Sequence, residues 1–342
     1  MKRPPLLFSS LLLLTFVSSG RVSADTRADF LKVIDRPRVA LAPQVQEAPP
    51  SDGLVHVAFS YASDAENRVP GILVKSASST GRRPVVITLH GTGGNKQSDL
   101  AFMAELAKAG FIAVAIDAPY HGARSKAGKG SAEYVEALHR TFRTGKEHPF
   151  FFDSVWDLMR LIDYLETRDD VDAKRIGLFG ISKGGIETYL TAAVDPRVAA
   201  AVPCIGVQSF RWAVENNAWQ SRIGTIQAAF DAAAKDTSIE KPGADFVHTF
   251  YDRVAPGLDG KFDGPMMLPL IAPRPLFSIN GETDDRTPLP GLQLCTDAAR
   301  AAYRAAGAEE KFTLLIQPKT GHKVLPTSYT AAREWFVRWL KP

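Results

Sequence analysis

Apolar residues come in short bursts along this chain, and the bursts alternate with stretches in which they recur every three or four positions. Pro84-Val85-Val86-Ile87-Thr88-Leu89 and Phe111 to Ile116 are nearly unbroken apolar runs of strand length, the pattern of strands buried on both faces. Ile176 to Phe179, Ala199 to Val202, Pro275 to Ile279 and Phe312 to Ile316 repeat it. Between and after these runs, Lys96 to Ala109, Val155 to Leu165, Ser182 to Ala193, Leu292 to Ala306 and Ser328 to Leu340 read as helices. Upstream, Val55-His56-Val57-Ala58-Phe59 and Val69 to Val74 read as an antiparallel pair. Strands alternating with helices predict an α/β fold, a mostly parallel central sheet flanked by helices.

Two intervals break the alternation. Some seventy residues separate Val202 from Pro275, more than a crossover needs, and a structureless loop of that length would be anomalous. With helical runs at Ile226 to Lys235 and Val247 to Tyr251, residues 205–268 are predicted to form a helical cap inserted in a domain over 53–342. At the other end, Pro37, Pro43, Pro49 and Pro50 forbid a long helix and predict an extended leader over residues 25–52. No internal repeat or low-complexity tract is found.

The first residues have a different character. Met1-Lys2-Arg3 is basic, Leu6 to Val17 is apolar but short for a membrane span, and Val22-Ser23-Ala24 offers small residues for cleavage. Residues 1–24 are therefore predicted to be a secretory signal peptide, leaving a secreted or periplasmic protein with no stable membrane insertion. Losing Lys2, Arg3 and Arg21 lowers the formal charge from +4 to +1, which removes the compositional case for a nucleic-acid partner. The oligomeric state is not legible. An oxidising compartment permits a disulfide between Cys204 and Cys295, the only cysteines, but two buried thiols fit the sequence equally. No Cys/His cluster has metal-ligand spacing, and no cofactor is expected.

The chemistry centres on Gly180-Ile181-Ser182-Lys183-Gly184, set between the strand ending at Phe179 and the helix that follows. Gly-x-Ser-x-Gly in that position is a nucleophile elbow, a strained turn that lifts Ser182 clear of the sheet and needs glycines where a Cβ would collide. A serine hydroxyl requires a base, and the base requires an acid to fix its tautomer. Only His248 and His322 follow Ser182 among the histidines. His248 lies in the predicted cap, whereas His322 sits in a glycine-containing loop directly after the last predicted strand. The acid must leave the preceding strand, in Gly281-Glu282-Thr283-Asp284-Asp285-Arg286. Three carboxylates compete there, and the Gly281-x-x-Asp284 spacing favours Asp284 over Asp285 and Glu282.

The developing oxyanion needs two N–H donors. The backbone of Lys183 supplies one at the start of its helix, and Thr92 in His90-Gly91-Thr92-Gly93-Gly94 is the expected second. That loop satisfies neither the Gly-x-Gly-x-x-Gly nor the Gly-x-x-x-x-Gly-Lys-Ser/Thr phosphate pattern. Tyr120, in Asp117-Ala118-Pro119-Tyr120-His121-Gly122, and Trp212 in the cap are the candidate substrate contacts, with burial the ordinary alternative for Trp212 and Trp219. His121 is expected to hold loops rather than to react.

These motifs together, over about residues 53–342, resemble the α/β-hydrolase superfamily, on the side that contains dienelactone hydrolases, acetyl xylan esterases and the catalytic domain of prolyl oligopeptidases. Gly206-Val207-Gln208-Ser209-Phe210-Arg211-Trp212, Arg253-Val254-Ala255-Pro256-Gly257-Leu258 and Ile271-Ala272-Pro273-Arg274-Pro275-Leu276 are similar to runs in uncharacterised plant and bacterial members. The resemblance implies a serine hydrolase with Ser182, Asp284 and His322 as its triad but no particular substrate, since this fold hosts many chemistries; a small-molecule or carbohydrate ester is the expected partner. A prolyl oligopeptidase-like peptidase and a non-catalytic binding protein on the same scaffold are the alternatives. Lys183 after the nucleophile is also similar to acyl-CoA thioesterases and acyltransferases, whose intracellular substrates fit poorly with a signal peptide.

Overall fold

A computed structural model describes residues 16–126 and 131–341, with residues 16–24 described by their backbone alone. In chain order the elements are α1 (Phe16–Ile34), β1 (Gln44–Glu47), β2 (Leu54–Ala62), β3 (Arg68–Ser76), β4 (Arg83–Leu89), α2 (Leu100–Lys108), β5 (Ile112–Ile116), α3 (Ala132–Thr144) and α4 (Phe152–Glu166). There follow β6 (Val171–Ile181), α5 (Lys183–Val194), β7 (Val198–Cys204), α6 (Phe210–Glu215), α7 (Gln220–Ile223), α8 (Gln227–Asp236), α9 (Ala244–Val254) and α10 (Gly264–Met267). The chain closes with β8 (Leu276–Gly281), α11 (Leu289–Ala305), β9 (Phe312–Gln317) and α12 (Pro326–Leu340).

Among the described residues the strands form one nine-stranded sheet in the order β1-β2-β3-β5-β4-β6-β7-β8-β9. The expected antiparallel pair is β2 with β3, in the register Val57 to Leu73, and β3 joins β5 antiparallel. From β5 onward every pairing is parallel. Alternate side chains of the central strands feed two cores. Val85, Ile87 and Leu89 pack on the side of α4 and α5, and Val86 with Phe179 packs on the side of α2 and α12. Burial on both faces explains why these strands read as unbroken apolar runs.

The leader departs from expectation. Residues 25–34 are helical, because the first proline comes only at Pro37 and Phe30 and Ile34 lie one turn apart on the buried face of α1. Phe30 meets the rings of Phe152 and Phe262 at 4.9 and 5.0 Å between centroids, so α1 docks on the domain. Only residues 35–43 remain irregular before β1, an exposed edge strand, pairs with β2. The predicted signal peptide falls largely outside the described residues.

The long interval between β7 and β8 is helical and holds α6 to α10. Its interior is aromatic: Trp219 packs on Phe230 at 5.5 Å, and Phe230 on Phe246 and Phe250 at 5.0 and 5.5 Å. Cys204 and Cys295 are separate buried thiols, which burial pushes far above the usual thiol pKa. None of the described helices is long and apolar enough to cross a membrane.

Candidate active site

β6 runs up the middle of the sheet and stops at Ile181, and α5 begins at Lys183, so Ser182 alone makes the turn. It does so at φ 57°, ψ −112°, a region that costs a non-glycine residue about 1–3 kcal/mol and persists only where its surroundings hold it. A Cβ on Gly180 would collide with the Gly184 carbonyl, and one on Gly184 with the Leu89 carbonyl at the end of β4. The two flanking glycines are thus required by close approach. The Ser182 N–H donates to the Cys204 carbonyl at 2.9 Å, pinning the turn to the end of β7.

The loop after β9 brings His322 over this turn. Its Nε2 lies 2.8 Å from Ser182 Oγ, and its Nδ1 lies 2.9 and 2.8 Å from the two Asp284 oxygens. A carboxylate only accepts, so Nδ1 carries the proton and Nε2 is left to accept from the serine hydroxyl. Asp284 follows β8 and also accepts from the N–H groups of Arg286 and Thr287 at 2.9 and 3.2 Å and from Thr287 Oγ1 at 2.6 Å. Burial alone would raise this carboxyl, but the hydrogen bonds from His322 and Thr287 outweigh it and hold the pKa below the usual carboxylate value. Of the competing carboxylates, Asp285 is exposed, and Glu282 accepts from the Lys319 N–H at 2.7 Å.

The loop after β4 is held from behind. His90 donates from Nδ1 to the Gly91 carbonyl at 2.8 Å and accepts at Nε2 from the Ala118 N–H at 3.2 Å. Buried Asp117 takes both the N–H and the ammonium of Lys96 at 2.7 Å, and the Ala123 N–H at 2.9 Å. Burial, with the Lys183 charge nearby, depresses His90 to about 4 and His121 to about 3, so both rings are neutral fixtures of this loop pair. Thr92 is thereby brought to the cavity over Ser182, beside Lys183 at the start of α5, where helical N–H groups lack intrahelical acceptors. The Lys183 ammonium turns into the interior, to Glu187 and, at 3.4 Å, to Ser154.

A cavity of about 30 Å³ lies over Ser182, walled by Phe150 and Phe151 ahead of α4, by Ile186 and Ile205, and by Phe210, Ser221, Arg222 and Thr225 of the insertion. Tyr120 and Trp212 are not among its lining residues. The Tyr120 hydroxyl bonds Glu147 and, at 2.8 Å, Arg140, facing a different groove. Trp212 is half-buried on α6, and the neighbouring Phe210 supplies the cavity wall. On a helix, residues two apart face different ways, so the aromatic nearest in sequence is not interchangeable with the one in the wall. The signal overlooked in the sequence is Pro149-Phe150-Phe151 before α4, where Phe151 takes a φ of 75°. His248 pairs with Asp259, away from Ser182. Among the described residues no group of three or more His, Cys, Asp or Glu is placed to hold a metal.

Comparison with known proteins fits this geometry. The family model described as "Glucuronyl esterase, fungi" matches residues 66–307, most of the chain. The chain belongs to that glucuronyl esterase family. It is a carboxylic-ester hydrolase of the α/β-hydrolase fold, which removes the reading as a non-catalytic binding protein. The esterase is 26% identical over 290 residues to YtaP of Bacillus subtilis (strain 168), covering 81% of this chain and 85% of that one. It is 26% identical over 163 residues to 4-O-methyl-glucuronoyl methylesterase 1 of Sodiomyces alcalophilus, where the match spans 46% of this chain but only 31% of the relative. Among solved structures, an acetyl xylan esterase from Paenibacillus sp. R4 superposes with a TM-score of 0.66 at 20% identity, over 95% of both chains. A glucuronoyl esterase from Solibacter usitatus gives 0.60 at 16% identity, over 91% of both.

Proposed function

We propose that the esterase cleaves carbohydrate esters outside the cytosol, through an acyl-enzyme on Ser182 with His322 as base and Asp284 as its orienting acid. The observation that carries the reading is the continuous line of hydrogen bonds from Ser182 Oγ through His322 to Asp284. His322 Nε2 takes the hydroxyl proton as Oγ attacks the ester carbonyl, and Asp284 stabilises the imidazolium through Nδ1–H. The tetrahedral oxyanion meets the backbone N–H groups of Lys183 and Thr92, each worth about 3–4 kcal/mol by analogy with measured donors. Collapse expels the alcohol, which leaves with the proton from His322. Water then gives a proton to His322 and attacks the acyl carbon, the acid departs, and Ser182 recovers its proton.

The carbohydrate half of the proposal draws on the family and on the activities for which its relatives are named. Location rests on the signal peptide expected over residues 1–24. Purified protein is expected to hydrolyse acetylated xylo-oligosaccharides or methyl esters of glucuronate, and Ser182→Ala to lower kcat by about 10⁴-fold or more. Unchanged turnover in that variant would sink the assignment. Protein recovered from outside the cytosol is expected to begin at Asp25, and an intact Met1 there would refute export by cleavage.

A further inference from the structure

Arg222 stands on α7 with its side chain in the wall of the cavity over Ser182. It is only 8% exposed. Its Nε is buried without a partner, and among the described residues no carboxylate or carbonyl accepts from the guanidinium. The Phe210 ring lies beside it, its centroid 5.6 Å from the guanidinium carbon. Arg160, Arg124 and Arg274, also buried or half-buried, have acceptors for their terminal nitrogens, although Arg160 Nε is likewise without a partner. Arg160 donates to Asp163 and to the Val39 carbonyl, both at 2.5 Å. Arg124 donates to Asp157 and to the Asp117 carbonyl, and Arg274 to the carbonyls of Ala192, Asp195 and Val198.

A guanidinium taken out of water without an acceptor is costly, and arginine does not escape the cost by losing its proton. Burial is the largest influence on its pKa and lowers it, opposed by nearby Tyr251 and Asp284. Asp284 is already committed to His322 and Thr287. The Ser221 hydroxyl, one residue before Arg222 and in the same wall, is buried and without a partner as well. Arg286 also lines the cavity and adds a second positive charge from its exposed side.

We infer that Arg222, with Ser221 beside it, receives a carboxylate of the substrate, so that this enzyme prefers esters carrying a free carboxylate close to the scissile carbonyl. The inference rests on Ser182 as nucleophile. The ester carbonyl under attack is neutral, so the carboxylate is a further group, on either the acyl or the alcohol half, as in an acylated sugar acid or a half-ester of a dicarboxylic acid. A planar guanidinium matches a carboxylate with two parallel N–H···O bonds, and a partly buried pair is screened by salt less than one on an open surface.

The test compares the full-length enzyme on two matched pairs: 3-acetoxybenzoate against 3-acetoxybenzamide, and monomethyl adipate against methyl hexanoate. In at least one pair the carboxylate member is expected to have the higher kcat/KM, by about 10-fold or more, and the pair that responds tells which half carries the anion. Arg222→Gln is expected to lower that preference ratio by roughly 10- to 100-fold. Adipate is expected to inhibit neutral-ester hydrolysis competitively and adipamide not to, a comparison made on the wild type and independent of how the variant folds. Preference ratios near one in both pairs, or equal inhibition by adipate and adipamide, would overturn the inference. So would a loss in Arg222→Gln shared equally by both members of a pair, the mark of a structural or oxyanion role. Failure of the wild type on all four esters would instead strike the assignment of Ser182.

Discussion

The α-carbon of Gly184 packs so closely on the carbonyl oxygen of Leu89 that a Cβ there would overlap it. This contact ties the start of α5 to the end of β4, and with it Ser182 to the loop that carries Thr92. The distance between Ser182 and the proposed oxyanion donor Thr92 is therefore set by backbone against backbone, where no rotamer change relieves a clash.

Gly184→Ala is accordingly expected to separate the elbow from β4, costing about 1–3 kcal/mol of stability and most of the activity. Melting temperature measured beside labelling of Ser182 by a fluorophosphonate checks it. A variant that labels at the wild-type rate would show that the approach is not needed.

Asp284→Asn should keep the loop folded while presenting an amide donor toward Nδ1, reversing the His322 tautomer. A fall in kcat of about 10³–10⁴-fold is expected. Asp285→Asn and Glu282→Gln, whose carboxylates lie outside the hydrogen-bond line, should each stay within a few-fold of wild type. Steady-state kinetics on one neutral ester ranks the three, and an equal loss at Asp285 would reopen the choice of acid.

Phe210→Ala enlarges the cavity wall, whereas Trp212→Ala removes a half-buried ring outside that wall. The first is expected to change the ratio of kcat/KM between short and long acyl chains and to cost about 3–5 kcal/mol, because Phe210 is a fully buried core residue. The second should leave that ratio within about two-fold, as for a residue away from the site. A chain-length series with p-nitrophenyl esters decides between them, and a selectivity change in Trp212→Ala alone would restore that residue as a substrate contact.

His90 and His121 give the fold a pH dependence with a definite sign. Their folded values of about 4 and 3 lie below the ordinary 6.5, so the unfolded chain binds protons first as pH falls. Stability is fully present above about 6.5 and declines toward pH 4, by on the order of 3 kcal/mol for His90. The depressed Asp284 carboxyl adds a separate loss at lower pH, as it protonates below the usual 3.8. Urea unfolding at pH 7 and pH 5 should show the first decline, and His90→Gln, which keeps an acceptor for the Ala118 N–H, should flatten it. An unchanged slope in that variant would place the proton uptake elsewhere.

The sequence by itself determined the sheet strands and the tight turn at Ser182, and it pointed to the proposed order of serine, acid and base, because each rests on local chemistry. Apolar runs of strand length report burial on both faces wherever the chain later goes. Gly180 and Gly184 report a close approach through their own lack of a Cβ, and the loop position of His322 follows from the strand before it. The choice of Asp284 among three neighbouring carboxylates was narrowed by turn spacing, but what separates them is three-dimensional: Asp284 alone is buried against Thr287 and faces His322. The leader helix was missed because prolines forbid a helix only from Pro37 onward, and the buried pair Phe30 and Ile34 shows its purpose only against Phe152 and Phe262. The cavity wall was decided by tertiary structure entirely. Phe151, Phe210 and Arg222 come from segments before and after the elbow, far apart in the chain, and which side of a short helix faces Ser182 depends on how the insertion packs over the sheet.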